Sequence, residues 1–502
     1  METATATTEP ALRVGPVEQR LFGSFVEHMG RCVYTGIFEP GHPRADADGF
    51  RRDVLDLVRE LGPTVVRYPG GNFVSSYRWE DGIGPPQQRP RRLDLAWRTI
   101  ESNAFGVDEF MAWCAAVGTE PMMALNLGTR GVESAVDLVE YCNVPRGTMW
   151  SDLRRSHGRA EPYAVKLWCL GNELDGDWQV GHKTAHEYGR LAAETARAMR
   201  MVDPSVELVA CGSSYAEMPT FGSWEETVLG ECYDLVDSVS LHAYYEPEGD
   251  DLDSFLASSV HLERAIDAVV TVADRVRAEV GSPKRLRLSV DEWNVWYRQN
   301  FPSGGLDWAE SRSLIEDSYD MVDAVVVGSL LIALLRHVDR VGIACQAQLV
   351  NVIAPILTEA GGSAWRQTTF HPFAQVTRYA SGDVLRVQTR CPVQETSKHG
   401  EVPLLDAVAT YDGEPGGPGG LVVFAVNRSR SEPIKLDLDL RAFDGLDRVE
   451  ATTLTHDDPH ARNVAADPDR VIPRPLADVR LDSDHLDAVL PTLSWNVLRL
   501  TG

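Results

Sequence analysis

Two glutamates follow apolar, strand-like segments and could act as a pair. Glu173 follows the segment VKLWCLGN, and Glu292 follows LRLSVD, 119 residues further along the chain. A carboxylate at the end of a buried strand is costly unless it is hydrogen-bonded or used in chemistry. Either glutamate alone could be a salt-bridged residue at the rim of the fold. Two opposed carboxyl groups, one a proton donor and the other a nucleophile or base, are typical of glycosidic bond cleavage.

Such a pair needs a scaffold that brings distant strand ends together. Short apolar segments alternate with helical patterns at 49–61, 106–117, 185–201 and 311–336. This alternation predicts an α/β fold with a parallel sheet, and eight strands predict a closed (β/α)8 TIM barrel, whose chemistry lies at the carboxyl ends of its strands. An open doubly wound sheet is the alternative, although no GxGxxG follows the first strand. The predicted strands are 21–26, 64–68, 122–125, 165–170, 207–211, 238–242, 287–290 and 342–346.

The last quarter of the chain has a different pattern. Helical periodicity ends near residue 375, and short strand-like segments separated by loops follow. We therefore expect a catalytic barrel at 18–375 and an all-β sandwich, jelly-roll-like, at 376–502. Residues 1–17 could add a strand to this second domain. Its predicted strands are 383–390, 404–411, 421–427, 434–440, 448–455 and 494–501.

Charge and composition exclude several kinds of partner. The 502 residues include 74 acidic and 48 basic side chains, which gives a net charge of −26. Such a surface repels phosphate backbones and anionic lipids, so we expect no nucleic acid and no membrane as a partner. A soluble enzyme that acts on a neutral substrate fits this composition better.

Targeting and cofactor motifs are not found in the sequence. The opening METATATTEPALRVG lacks the pattern of a signal peptide, and the apolar run AVVVGSLLIALL at 324–335 is too short to span a bilayer. Eight cysteines form no CxxC pair, which is typical of reduced core residues. We therefore predict a cytoplasmic protein. No HExxH, GxSxG or P-loop is found, so we expect neither a metal nor a cofactor.

Five sequence blocks resemble the α-L-arabinofuranosidases of glycoside hydrolase family 51, a family of retaining barrel enzymes. The resemblance extends from about residue 21 to 373. The β-rich tail matches the family's architecture, but its sequence is less diagnostic. The blocks are RYPGGNFVSSYRWEDGIGP at 67–85, GNELDGDWQVGHKTAHEYGRLA at 171–192, LHAYY at 241–245, DEWNVWY at 291–297 and AQLVNVIAPI at 347–356.

The resemblance implies a role for each matching residue. Glu173 would be the general acid/base and Glu292 the nucleophile, with Tyr244 orienting Glu292. His242 would lie behind the residues that touch substrate. Asn72 is also good turn chemistry in PGGN, and either tryptophan could be a plain core residue. The remaining implied substrate-binding residues are Glu27, Asn72, Trp97, Asn172, Trp296 and Gln348.

These observations together predict an exo-acting retaining glycosidase. It would release terminal α-L-arabinofuranose from small arabinose-containing oligosaccharides by double displacement. A related barrel enzyme acting on another pentoside or on a β-glucan is one alternative. A carbohydrate-binding protein on a hydrolase scaffold is another, although the intact pair of Glu173 and Glu292 argues against it. Because members of the family are commonly oligomeric, we expect a homo-oligomer, possibly a hexamer.

Overall fold

The computed structural model describes residues 1–301, 308–413 and 419–502. In chain order its helices are α1 Arg52–Leu61, α2 Val107–Val117, α3 Val132–Asn143, α4 Met149–Ser156, α5 Ala185–Val202, α6 Ser223–Cys232, α7 Leu252–Leu256, α8 Ser258–Val280, α9 Met321–Arg336 and α10 Phe370–Tyr379. Its strands are β1 Glu2–Thr7, β2 Arg13–Pro16, β3 Gly23–Phe25, β4 Val65–Tyr68, β5 Arg92–Asp94, β6 Thr99–Glu101, β7 Glu120–Ala124, β8 Leu167–Leu170, β9 Glu207–Ala210, β10 Ser238–Tyr245, β11 Arg287–Val295, β12 Val341–Gln346, β13 Ile356–Thr358, β14 Ala364–Arg366, β15 Asp383–Leu385, β16 Gln388–Arg390, β17 Val393–Thr396, β18 Gly400–Pro403, β19 Leu405–Tyr411, β20 Leu421–Asn427, β21 Ile434–Asp439, β22 Arg448–Leu454, β23 Arg474–Pro475, β24 Val479–Leu481, β25 His485–Leu490 and β26 Ser494–Thr501.

Eight parallel strands close into a barrel. They follow one another in the order β3, β4, β7, β8, β9, β10, β11 and β12, and the register of Gln346 opposite Ser24 joins the last strand to the first. At least one helix follows every barrel strand, with α10 after β12. This arrangement confirms the predicted (β/α)8 TIM barrel, and all eight predicted strands are present with bounds shifted by a few residues.

The barrel interior is apolar at one level and charged at the next. Apolar side chains from several barrel strands, including Val65, Met122, Leu167 and Ile343, form a buried cluster of their own. This is the layered packing that fills TIM barrels, so the barrel is a core and not a pore. The polar residues of the site lie beyond this cluster, towards the carboxyl ends of the strands.

The helix predicted at 311–336 begins later than expected. It starts at Met321, because the side chain of Asp320 accepts hydrogen bonds from the backbone N–H groups of Val322 and Asp323 and so caps the first turn. Upstream, Ser311 and Ile315 both have a φ of 41°, in the left-handed region that a helix cannot contain. The apolar pattern was correct for the helix itself but missed this capped start.

The C-terminal part contains two stacked sheets. One has the order β16, β1, β21, β25, β24, and the other β2, β15, β19, β20, β26, β22, β23. Side chains from both sheets, such as Ala4, Leu436 and Val423, share one buried core. The N-terminal strand β1 pairs in parallel with β21. The domain boundaries at 18–375 and 376–502 stay a prediction.

Some strand predictions in this part were wrong in detail. The segment predicted as one strand at 383–390 forms two, β15 and β16, which pair in different sheets. Sequence analysis also missed β17, β18, β23, β24 and β25. The strands β17 and β18 contain exposed residues, and β23 and β24 are very short, so their apolar signal is weak. Strand β25 has the alternating pattern of a half-buried strand, which the sequence analysis overlooked.

The second sheet packs directly on the barrel helices. Trp495 on β26 lies against α9, where a Cβ at Gly328 would come within 2.5 Å of its ring, so a glycine is needed there. Arg428 and Arg336 both pair with the buried carboxylate of Asp406, joining the sandwich to α9. None of the described helices is long and apolar enough to cross a membrane.

Candidate active site

A cavity of about 700 Å³ opens at the carboxyl ends of the barrel strands. Asn172 does not line it and is almost fully buried. The other residues that the sequence singled out for substrate and catalysis do line it: Glu27, Asn72, Trp97, Glu173, Tyr244, Glu292, Trp296 and Gln348.

Glu292 is fixed by hydrogen bonds to both of its carboxylate oxygens. It lies within β11, next to a register irregularity between Val290 and Trp293, and not after the strand as its sequence pattern indicated. Arg67 Nη1 donates to Oε1 at 2.7 Å, and the Tyr244 hydroxyl donates to Oε2 at 2.8 Å. These buried, charge-assisted bonds leave Glu292 little freedom to turn.

Glu173 lies on the loop after β8, in a left-handed conformation with a φ of 46°. His242 Nδ1 lies 2.9 Å from Oε1, and Trp178 Nε1 donates to Oε2 at 3.2 Å. Burial, and then the negative charge of Glu292, raise the pKa of Glu173 against the effect of His242. One oxygen of Glu173 and one of Glu292 lie within 4.8 Å of each other.

A buried polar layer lies beneath the two glutamates. Asp291 Oδ1 is 3.1 Å from His242 Nε2, and its other oxygen is 3.7 Å from Arg67 Nε. Burial alone would raise the pKa of Asp291, but Arg67 and His242 bring it below its usual value. Burial alone would lower the pKa of His242, but Glu292, Asp291 and Glu173 raise it well above its usual value. The raised pKa favours the cationic form of His242, which lies among three carboxyl groups.

Glu27, Trp97 and Gln348 line the part of the cavity that we call its floor. Its Oε1 accepts from Trp97 Nε1 and from the backbone N–H of Phe73, both at 2.9 Å, and its Oε2 accepts from Gln348 Nε2 at 3.2 Å. A Cβ at Gly71 would lie 2.3 Å from Oε2, so glycine is needed for the chain to pass this carboxyl group. Burial raises the pKa of Glu27 to about 8, and the charge of Glu292 adds to the rise.

Asparagine side chains connect the layers. Asn172 Oδ1 accepts from Arg67 Nη2 at 2.8 Å, and its Nδ2 donates to Asn72 Oδ1 at 3.2 Å. Asn72 starts the short 3-10 helix Asn72–Ser76 and lines the cavity itself. Asn172 thus holds Asn72 in place from below.

The Trp296 ring stands edge-on to Tyr244, with centroids 5.3 Å apart.

Sequence reasoning missed four residues of this site. Arg67, Trp178 and Asp291 were inside quoted motifs but received no role. An arginine in the apolar strand VVRY predicts a buried carboxylate partner. Trp178 and Tyr215 stack at the cavity wall, with ring centroids 6.0 Å apart. No local signal distinguishes these exposed aromatic residues from ordinary surface residues, since their contact joins two separate loops.

One group among the described residues has a donor set that could hold a metal ion. It consists of Glu173, His242 and Glu292. Glu292 is paired with Arg67, and Glu173 is paired with His242. Both carboxyl groups therefore have partners without a metal ion.

A barrel with two close, differently held carboxyl groups at its mouth defines a glycoside hydrolase of the TIM-barrel type. Comparison with known proteins gives the family. Residues 57–262 match a family model described as the α-L-arabinofuranosidase 1 domain, and residues 291–494 match the α-L-arabinofuranosidase C-terminal domain.

Full-length relatives agree with this match. An intracellular exo-α-(1→5)-L-arabinofuranosidase from Streptomyces lividans is 58% identical, and the match covers 99% of this chain and 75% of the relative. An exo-α-(1→6)-L-arabinofuranosidase from Bifidobacterium longum is 50% identical, and the match covers 100% of this chain and 98% of the relative. A solved family 51 α-L-arabinofuranosidase from Bifidobacterium longum superposes with a TM-score of 0.95 at 47% identity over the whole of both chains. The chain belongs to the α-L-arabinofuranosidases of glycoside hydrolase family 51.

Proposed function

We propose that this enzyme removes terminal α-L-arabinofuranose units from oligosaccharides with retention of anomeric configuration. The observation that carries the proposal is the pair Glu173 and Glu292, with oxygens within 4.8 Å at the mouth of the barrel. Retaining enzymes hold their carboxyl groups about 5–5.5 Å apart, whereas inverting enzymes leave about 6.5–9.5 Å for a water molecule. The close pair favours double displacement.

In the first step Glu292 attacks the anomeric carbon and Glu173 protonates the leaving oxygen. The bonds from Arg67 and Tyr244 hold the Glu292 carboxylate ready for attack. The raised pKa of Glu173 keeps a proton available for donation. The products of this step are the free leaving alcohol and an arabinosyl ester of Glu292.

In the second step Glu173, now ionised, takes a proton from water, which attacks the ester and releases arabinose. His242 stabilises the ionised form of Glu173 because its cationic ring lies against Oε1. Trp178 donates to the other oxygen of the same carboxylate. Glu173 thus acts as an acid in the first step, because burial raises its pKa. It acts as a base in the second step, because these two donors stabilise its carboxylate.

The floor of the cavity would hold the terminal sugar. Glu27, Asn72 and Gln348 present polar atoms to its hydroxyl groups, and Trp97 and Trp296 form apolar walls. Because Glu27 and Gln348 are almost fully buried, the chain of a polysaccharide cannot continue past them. This closed end supports an exo mode of action. Asn172, in contrast, would act through Asn72 and Arg67 unless substrate binding exposes its amide.

The names of the relatives support a linkage. We propose α-(1→5)-linked arabino-oligosaccharides as substrates, after the Streptomyces lividans relative, with α-(1→6)-linked ones as the second candidate after the Bifidobacterium longum relative. A cytoplasmic location is proposed on the same ground, since the first relative is named intracellular. A homo-oligomer, with a hexamer as one candidate, stays a prediction that light scattering of the purified enzyme tests.

Initial rates on matched substrates test the activity. We expect hydrolysis of nitrophenyl α-L-arabinofuranoside and α-1,5-arabinobiose, with much slower hydrolysis of nitrophenyl β-D-xyloside and β-glucosides. NMR of the first-formed arabinose should show the anomeric configuration of the substrate. Faster cleavage of another glycoside would favour the alternative barrel enzyme, and calorimetric binding without turnover would favour a carbohydrate-binding protein.

A further inference from the structure

The cavity extends beyond the two glutamates. The same continuous space of about 700 Å³ reaches Lys398 and His399, which belong to the C-terminal part of the chain. Volumes of about 300–1,000 Å³ are typical of sites that enclose a whole drug-sized ligand, so this one has room for more than a single pentose. Lys398 in this outer part pairs with Glu248, which follows β10, whereas Glu27 follows β3, three strands away around the barrel. A leaving group would extend away from Glu27, towards this outer part.

A three-residue turn forms one wall of this outer part. Residues 397–399 connect β17 to β18, which pair up to Thr396 opposite Gly400. Thr396 Oγ1 donates to the Gly400 carbonyl at 2.9 Å and accepts from the His399 backbone N–H at 3.0 Å. The turn is therefore closed by its own hydrogen bonds before any ligand enters.

The turn is also anchored to the barrel helices. The backbone N–H of Lys398 donates to Ser254 Oγ on α7 at 3.3 Å, and Ser397 bonds to the side chains of Ser254 and Asp251. Arg264 on α8 donates to the His399 carbonyl at 3.3 Å. These bonds join the turn to helices more than a hundred residues away in the sequence, and they fix the turn at the edge of the cavity.

Charges in this region favour a neutral ligand. Arg298 pairs with Glu246, and Lys398 pairs with Glu248, both at 2.7 Å. Each of these cations therefore already has a carboxylate partner and offers no spare positive charge to an acidic sugar. The Lys398 ammonium has three N–H donors, so it can hold Glu248 and still donate to hydroxyl groups.

We infer that the turn at residues 397–399 forms a subsite for a neutral sugar on the leaving-group side, beyond the sugar that directly follows the scissile bond. This inference rests on the proposed function, because only a glycosidase has a leaving group to place there. The sandwich domain thereby contributes to substrate choice: it makes an oligosaccharide with at least two leaving-group sugars a better substrate than a disaccharide.

The substitution Lys398→Met tests the subsite, since it keeps an aliphatic side chain and removes the ammonium. The measurement is the ratio of kcat/KM for α-1,5-arabinotriose to that for α-1,5-arabinobiose. Only the trisaccharide has a second leaving-group sugar, and loss of a charge-assisted hydrogen bond should lower the ratio about tenfold. His399→Gln, a second variant, should lower it in the same direction.

Lys435→Met is the matched control. Lys435 is on β21, is exposed to a similar extent as Lys398, and pairs with Asp487 at 3.4 Å, but it does not line the cavity. Its ratio should equal that of the wild type. An unchanged ratio in both test variants, or an equal loss on both substrates, would overturn the inference and leave the proposed function intact. A wild-type enzyme that hydrolyses neither these sugars nor nitrophenyl α-L-arabinofuranoside would overturn the proposed function itself.

Discussion

Glu292 and Glu173 lie side by side but are held by different kinds of structure. Glu292 lies within a barrel strand, and its oxygens accept from the buried Arg67 and the half-buried Tyr244. Glu173 lies on a loop, and one of its two donors, Trp178, is 45% exposed. A nucleophile must keep a fixed position, whereas an acid/base must exchange protons with substrate and water. The difference in support therefore agrees with the roles that we propose for the two residues.

The largest effect should come from removing the fixed carboxylate. Glu292→Ala should reduce turnover of every substrate by about 10⁵-fold or more, because no covalent intermediate can form. Initial rates on nitrophenyl α-L-arabinofuranoside and on arabinobiose measure this loss, and thermal unfolding confirms that the variant is folded. Substantial activity on the nitrophenyl substrate would exclude Glu292 as the nucleophile.

Removing the other carboxyl group should depend on the leaving group. Glu173→Ala should slow arabinobiose cleavage by about 10²–10⁴-fold, because a sugar alkoxide needs protonation when it leaves. A nitrophenolate leaves without this help, so the arabinosyl enzyme should form and then accumulate. Azide needs no deprotonation and should restore turnover.

The stereochemistry of the azide product distinguishes the two roles. NMR should show an arabinosyl azide with the anomeric configuration of the substrate from Glu173→Ala. An inverted product from this variant, or a retained product from Glu292→Ala, would mean that the two glutamates have exchanged roles.

Single hydrogen bonds should show a smaller form of the same contrast. Tyr244→Phe removes a part-buried bond to Glu292 and should lower kcat/KM about 10- to 100-fold, since a bond to a charged group contributes about 1.5–3 kcal/mol. Trp178→Phe removes an exposed bond to Glu173 and should cost less than about tenfold on the nitrophenyl substrate. Steady-state kinetics of both variants measure the difference. A larger loss in Trp178→Phe would reverse the comparison.

The smallest expected effect is a shift in the pKa of Glu173. Activity should fall as the pH rises through the raised pKa of Glu173, because the protonated form is the acid. Glu292→Gln removes the neighbouring negative charge, so the pKa of Glu173 should fall, although burial keeps it above its usual value. Carboxyl ¹³C NMR of the labelled protein measures this pKa directly.

Asp94 is an internal control for this titration. Burial raises its pKa to about 6, and Glu292 is not among the main groups that influence it. Its pKa should therefore stay unchanged in Glu292→Gln. An unchanged pKa for Glu173 as well would show that the charges of the two glutamates are not coupled.

Sequence analysis predicted the barrel well and the sandwich less completely. The barrel strands are apolar runs and the helices that follow them have apolar residues at regular spacing, so both kinds of element are visible in consecutive residues. The strand at 383–390 is instead interrupted and joins two sheets, and β17 and β18 are mostly exposed. Their positions depend on strand partners far away in the chain, which local patterns do not reveal.

The same distinction holds at the active site. The blocks containing Glu173 and Glu292 were recognisable because neighbouring residues carry the motif. The contacts of Trp178 with Tyr215, and of the 397–399 turn with α7, join separate segments and have no sequence signature. The predicted helix start at residue 311 was wrong for a related reason, since the cap at Asp320 depends on one side chain and not on periodicity.

The sequence by itself determined the alternation of strands and helices, the family and the two glutamates, because each of these is written in consecutive residues. Only the tertiary structure decided how the glutamates differ. Arg67 reaches Glu292 across 225 residues of sequence, and His242 reaches Glu173 across 69. Closing the barrel brings these charges into one buried layer, where weak screening makes their interactions strong enough to set the protonation of the site.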